Sequence, residues 1–185
     1  MALKVVEVTI EGRTPLLQHR FSEEAKAEAK SGVVRRRVRK FPPEQEAEKA
    51  AYKDERGVLY VPQEQIRKAI INASKDFKVG RRSATTFVRG ITIYPERISL
   101  GTKKYEIDGR PVVVDNRRVM RYRPKIFPWK LTFKIEYDDE DIPDPKLLKD
   151  CLEVAGRRFG IGDFRPERNG QFGKFHVVSF KKVKK

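Results

Sequence analysis

The segment Phe127–Tyr137 alternates without a break. Phe127, Trp129, Leu131, Phe133, Ile135 and Tyr137 fall on one side, and Pro128, Lys130, Thr132, Lys134 and Glu136 on the other. Bulky residues in strict period two cannot share one face of a helix, so the pattern predicts a long strand with one buried face. Lys4–Ile10 alternates in the same way, with Val6, Val8 and Ile10 inward, and predicts a first strand. Helical spacing occurs twice. Ile66, Ile70, Ala73 and Phe77 follow Pro62 and predict an amphipathic helix over about 63–77. Leu148, Cys151, Leu152, Ala155 and Phe159 predict a second from about Pro145. Short strands are expected around Phe87–Tyr94, Arg97–Leu100 and Pro111–Val114, with Arg117–Arg123 extended. A last strand covers Lys174–Phe180, before a frayed lysine-rich tail.

Residues 13–57 have another character. Ser22 before Glu23 and Glu24 is a helix N-cap signal, yet the following turns carry no large apolar face. A second polar helix is predicted from Pro42-Pro43 to about Asp54, with only Ala47, Ala51 and Tyr52 as its stripe. This stretch reads as a partly helical, mixed acidic and basic insertion in a single domain spanning 1–185. Without it the order is strand, helix, strands, helix, strand. The fold class is α+β: a ferredoxin-like (RRM-like) antiparallel sheet, two helices on one face and a large insertion after the first strand. The opposite sheet face is then uncovered, and Lys130, Thr132 and Lys134 are expected to point to it.

Charge sharpens the picture. The 185 residues contain 42 Lys plus Arg against 26 Asp plus Glu, a formal net charge of +16. Such an imbalance points to an anionic partner. One cysteine, Cys151, excludes an intramolecular disulfide and a multi-cysteine metal site, and on its apolar stripe it reads as a small buried hydrophobe. The two histidines, His19 and His176, stand far apart in sequence, so neither a metal site nor a cofactor is expected. No apolar run approaches a membrane span and no signal-peptide core precedes the first strand, which predicts a cytoplasmic protein with no membrane partner.

The cations cluster. Arg35, Arg36, Arg37, Arg39 and Lys40 form one group, Lys78, Arg81, Arg82 and Arg89 another, and Arg117, Arg118, Arg121, Arg123 and Lys125 a third. Such groups neutralise phosphates and release counterions, and Arg also stacks on exposed bases; a solvated basic face is the plainer reading. Phe21, Phe41, Tyr122 and Phe164 each adjoin an Arg or Lys, and Tyr122, between Arg121 and Arg123, is the best placed to stack a base. The segment Phe159–Phe175 is glycine-rich. Gly160 and Gly162 could expose N–H groups to a phosphate, with Arg165, Arg168 and Lys174 adding charge, or the glycines could serve only the turn into the last strand.

Two segments resemble a known family. Leu59-Tyr60-Val61-Pro62-Gln63-Glu64-Gln65-Ile66-Arg67-Lys68-Ala69-Ile70 looks like the strand-Pro-helix element of the RAMP superfamily, whose CRISPR effector-backbone members commonly carry Gly-Ser-Ser after the proline. Phe159–Phe175 is similar to the superfamily's C-terminal glycine-rich loop. The resemblance implies RNA binding, often in a polymer of like subunits along a guide RNA within an effector complex. It also implies a role to weigh for His19, since guide-RNA-processing members cut RNA without metal through a histidine base; an ordinary polar loop residue is the simpler reading. Backbone subunits that cut target RNA use an Asp in the loop after the first strand, and Glu11–Phe21 contains none.

The sequence therefore points to a non-catalytic protein that binds single-stranded RNA, or DNA, through cations lining an uncovered sheet face. One alternative is a metal-independent endoribonuclease using His19. Another is a structural or assembly protein of a mobile element, meeting an acidic partner through a basic face.

Overall fold

In the computed structural model, which describes residues 2–21, 30, 41–114 and 116–183, the elements run in the following order. They are β1 (Leu3–Gly12), β2 (Leu16–Leu17), helix α1 (Pro43–Ala50), β3 (Tyr60–Pro62), α2 (Gln63–Ala73), β4 (Lys78–Val79), β5 (Arg82–Ser83) and α3 (Thr85–Val88). There follow β6 (Thr92–Tyr94), β7 (Arg97–Ser99), β8 (Glu106–Val114), β9 (Arg117–Ile126), β10 (Lys130–Asp138), α4 (Lys146–Val154) and β11 (Phe175–Val183). The structure is α+β with antiparallel sheets. The Arg35, Arg36, Arg37 and Arg39 cluster and the Ser22 N-cap lie outside the described residues.

The main sheet has the order β11-β1-β10-β6, every pair antiparallel. Period two puts Val6, Val8 and Ile10 opposite Ile135, Phe133 and Leu131, all buried. Phe133 and its neighbours meet Ile66 and Ile70 of α2 and Leu148, Cys151 and Leu152 of α4 in one core. Full burial of each such large side chain contributes about 1.5–3 kcal/mol. Helix α2 has no side-chain cap at Pro62; instead the Gln63 N–H donates to Glu96 O at 2.9 Å. Its last turn tightens into a 3-10 turn at Ser74–Asp76, where Ser74 Oγ bonds Ile71 O at 2.7 Å.

Several expectations need correction. Phe87 lies in helix α3, not in a strand, because Ala84 accepts from the N–H groups of Phe87 and Val88. Helix α1 stops at Ala50, where Ala51 turns extended, short of Asp54. Phe127 is 55% exposed: the strand begins only at Lys130, so the alternation before it has no sheet to face. Lys181 and Lys182 belong to β11, paired with Glu7 and Val6. Strands β8 and β9 form a long hairpin in a separate sheet of order β2-β9-β8.

The uncovered face of the main sheet is not a cationic surface. Glu7 sits in register between Lys134 and Lys181, and Lys130 lies 4.0 Å from Glu11. Glu136 accepts from Tyr94 at 3.2 Å, and Thr9 bonds Thr132 at 3.0 Å. Cross-strand pairing of opposite charges is the ordinary solution for an exposed antiparallel face, and it neutralises this one.

Candidate nucleic-acid interface

The chain leaves β1 under the Trp129 indole. A Cβ at Gly12 would stand 2.2 Å from the ring, and Trp129 Nε1 donates to Thr14 O at 2.8 Å. This pins residues 14–18 against the glycine-rich segment 160–174. The Asp163 N–H donates to Leu17 O (2.9 Å), that of Gly173 to Pro15 O (2.8 Å) and that of Lys174 to Thr14 Oγ1 (3.0 Å). The Gly160 N–H donates to Ala155 O at 2.8 Å and the Gly162 N–H to Gln65 Oε1 at 3.1 Å. The donors expected to cradle a phosphate are therefore already engaged, and glycine is needed there for close packing. At Gly173, φ is +69° and a Cβ would lie 1.8 Å from Ile161 O. Gln65 supplies the stitch between α2 and the loop.

A cavity of about 430 Å³ opens where these segments meet, lined by His19, Gln65, Lys68, Asp163 and Arg165 among others. Behind it Arg123, only 6% exposed, forms an ion pair with Asp163 (Nε–Oδ2 2.6 Å). Burial raises the Asp163 pKa, but the His19 contact and the Arg123 charge outweigh it and hold the carboxyl below its ordinary value. Arg123 Nε also donates to His19 Nδ1 at 3.4 Å, while Nδ1 stands 3.5 Å from Asp163 Oδ2. Arg123 Nε and the Asp163 carboxylate therefore compete for the same ring nitrogen, one as donor and the other as acceptor.

The remaining candidates divide by their partners. Lys78, Arg81 and Arg82 occupy the exposed β4–β5 hairpin, and Arg117 and Arg118 stand exposed at the start of β9. Among the described residues none of the five has an ion-pair partner, and neither has the exposed Arg168. Arg121 pairs with Glu46 of α1 at 3.2 Å, and Arg165 with Glu167 at 2.7 Å while bonding Gly162 O at 3.0 Å. Arg123 is corrected from a surface contact to a buried strut. Tyr122 is half-buried in register with Gly109, whose Cβ position would lie 2.8 Å from its ring. Lys174 is half-buried beside Thr14.

Sequence reasoning passed over Gln65, Lys68, Arg110, Asp163 and Phe172. Only Arg110 carried a local signal: two residues after Asp108 it shares a strand face with it, and the two form a fork of hydrogen bonds at 2.6 and 2.7 Å. Among the described residues no helix is long and apolar enough to cross a membrane. No protein-family model and no curated protein sequence matches the chain.

Proposed function

We propose that the chain is a non-catalytic protein that binds single-stranded nucleic acid, RNA in preference to DNA. The observation that carries the reading is the set of five exposed cations on two hairpins, Lys78, Arg81, Arg82, Arg117 and Arg118, with no acidic partner among the described residues. Elsewhere acids sit against bases: Glu46, Asp76, Asp108, Asp163 and Glu167 are each in contact with an arginine. Projecting hairpins present charge to a flexible backbone better than to a flat protein face, and each neutralised phosphate adds a salt-dependent increment of affinity. The preference for RNA rests on the RAMP resemblance. The ferredoxin-like, RRM-like assignment draws support from the sheet order β11-β1-β10-β6 and from α2 and α4 lying between successive strands of that sheet. Assembly along a guide strand belongs to the same reading.

A second reading, cleavage of RNA by His19, is favoured by its contact with Asp163 at the rim of a cavity. The Asp163 carboxylate that would orient the imidazole is already held by Arg123 at 2.6 Å, which weighs against it. One experiment separates them: titrate labelled single-stranded RNA, compete with DNA of the same sequence and with duplex, and follow RNA integrity without metal for the wild type and His19→Ala. The proposal expects saturable binding, weaker competition by DNA and least by duplex, and intact RNA throughout. Equal competition by duplex overturns it, and cleavage abolished in His19→Ala establishes the second reading.

A further inference from the structure

Four side chains, two from the β8–β9 hairpin and two from the glycine-rich loop, form a continuous stack. Arg123 lies over the Phe164 ring (guanidinium carbon to centroid 5.1 Å), and Arg110 lies over the same ring (5.0 Å) and over Phe172 (4.5 Å). Both guanidiniums are held by carboxylates, Arg123 by Asp163 and Arg110 by the fork to Asp108. The rings are therefore fixed by groups that are themselves fixed. The loop bears a conformational cost for this arrangement. Phe164 has φ +48°, a region that bulky L-residues rarely occupy. Its carbonyl oxygen would be only 1.7 Å from a Cβ at Gly170, so the backbone doubles back tightly on itself. The Phe172 N–H then closes the turn on Phe164 O at 3.0 Å.

A turn joining a helix to a strand needs no such stack. The stack ends at Phe172, half-buried, which lines a cavity of about 640 Å³ together with Thr14, Lys125, Phe164, Asn169 and Gln171. One ring face of Phe172 is covered by Arg110. Around the cavity stand two carboxamides, each with donors and an acceptor, a hydroxyl, and the Lys125 ammonium, shared with Glu106 at 2.8 Å. A flat, rigid π-surface with amide edges beside it and a cation at the margin matches an unpaired nucleobase on its phosphodiester backbone. The volume falls within the range of small-ligand sites.

We propose that this cavity, between the glycine-rich loop and the β8–β9 hairpin, takes an unpaired nucleobase stacked on Phe172, with Asn169 and Gln171 at its edge. The proposal rests on the single-strand-binding reading and names where that strand is gripped. It moves the stacking role from Tyr122 to Phe172 and makes Phe164 an internal layer of the stack.

The test uses the full chain and a short single-stranded RNA carrying 2-aminopurine, whose fluorescence falls when it stacks. The wild type should quench the probe on binding. Loss of one base–aromatic stack weakens binding between about fivefold and a hundredfold, and Phe172→Ala and Phe172→Leu should both do so, whereas Phe172→Tyr should bind as the wild type. If Phe172→Ala does not fold, Phe172→Leu and the wild-type quenching still decide. In Phe172→Trp, mononucleotide alone should quench the added tryptophan, since Trp129 is buried at 3% exposure. Wild-type binding without quenching, with Phe172→Leu as tight as the wild type, overturns this proposal and leaves the binding reading standing. No binding of the strand overturns the binding reading, and a flat Phe172→Trp mononucleotide titration removes the pocket independently.

Discussion

The Arg123–Asp163 pair is the strut on which the candidate site is built, and removing half of it should be costly. Asp163→Asn keeps the shape and removes the charge, leaving a 6%-exposed guanidinium without its counterion. Unit charges about 4 Å apart attract by roughly 4 kcal/mol at an effective dielectric constant of about 20. Deleting one member of a fully buried pair costs about 3–5 kcal/mol. The Asp163 side chain as a whole keeps 29% exposure, and partial water screening of the carboxylate brings the expected loss to about 2–3 kcal/mol. With a urea slope near 2 kcal/mol/M, the unfolding midpoint should fall by about 1–1.5 M. Arg123→Met in the Asp163→Asn background should cost less than the two changes summed, by about 1 kcal/mol or more, since the second change removes an already orphaned charge. A shift below about 0.3 M, or strict additivity, would refute the assignment of Arg123 as a structural cation.

Three further outcomes follow from the same geometry. Because the folded Asp163 carboxyl titrates below its unfolded value, its contribution is complete above about pH 4 and is lost as pH falls through the folded pKa; the stability gap between the wild type and Asp163→Asn, measured by urea titration, should be constant near neutrality and shrink in acid. Gly173→Ala meets Ile161 O at 1.8 Å with φ +69°, while Gly101→Ala has φ +68° and nothing within 4 Å; thermal melts should show the second losing about 1–2 kcal/mol and the first markedly more. Burial pushes the Cys151 thiol up to about 12, so a disulfide reagent should label it only at the rate of unfolding.

What the sequence disclosed was local in origin. Strand β10, α2 and α4 were legible because each buries a face whose period is written in consecutive residues. The placement of β6 beside β10 was not, since Ile93 and its partner Ile135 stand 42 positions apart and no local pattern encodes which edge a strand joins. The basic clusters were found, but their sorting was hidden. Arg123 and Arg118 look alike in sequence, and only the approach of Asp163 from the glycine-rich loop makes one a strut while the other stays in solvent. Lysines of β10 were correctly placed on the uncovered face, but the glutamates of β1 opposite them depend on strand pairing. The glycine-rich segment was conspicuous for its composition, whereas its role as a packing hub that shapes the Phe172 cavity came from contacts across the chain.

Cations on two hairpins, without acidic partners among the described residues, are proposed to track the phosphates of a single strand. This role is tested most directly by the salt dependence of single-stranded RNA binding for the wild type and for the triple variant Lys78→Ala/Arg81→Ala/Arg82→Ala. The expected result is a steep linear fall of log affinity with log salt, a slope shallower by about 2 in the variant at about 0.7 per phosphate, and unchanged stability. Identical slopes, or a wild-type response that is flat with salt, would contradict it.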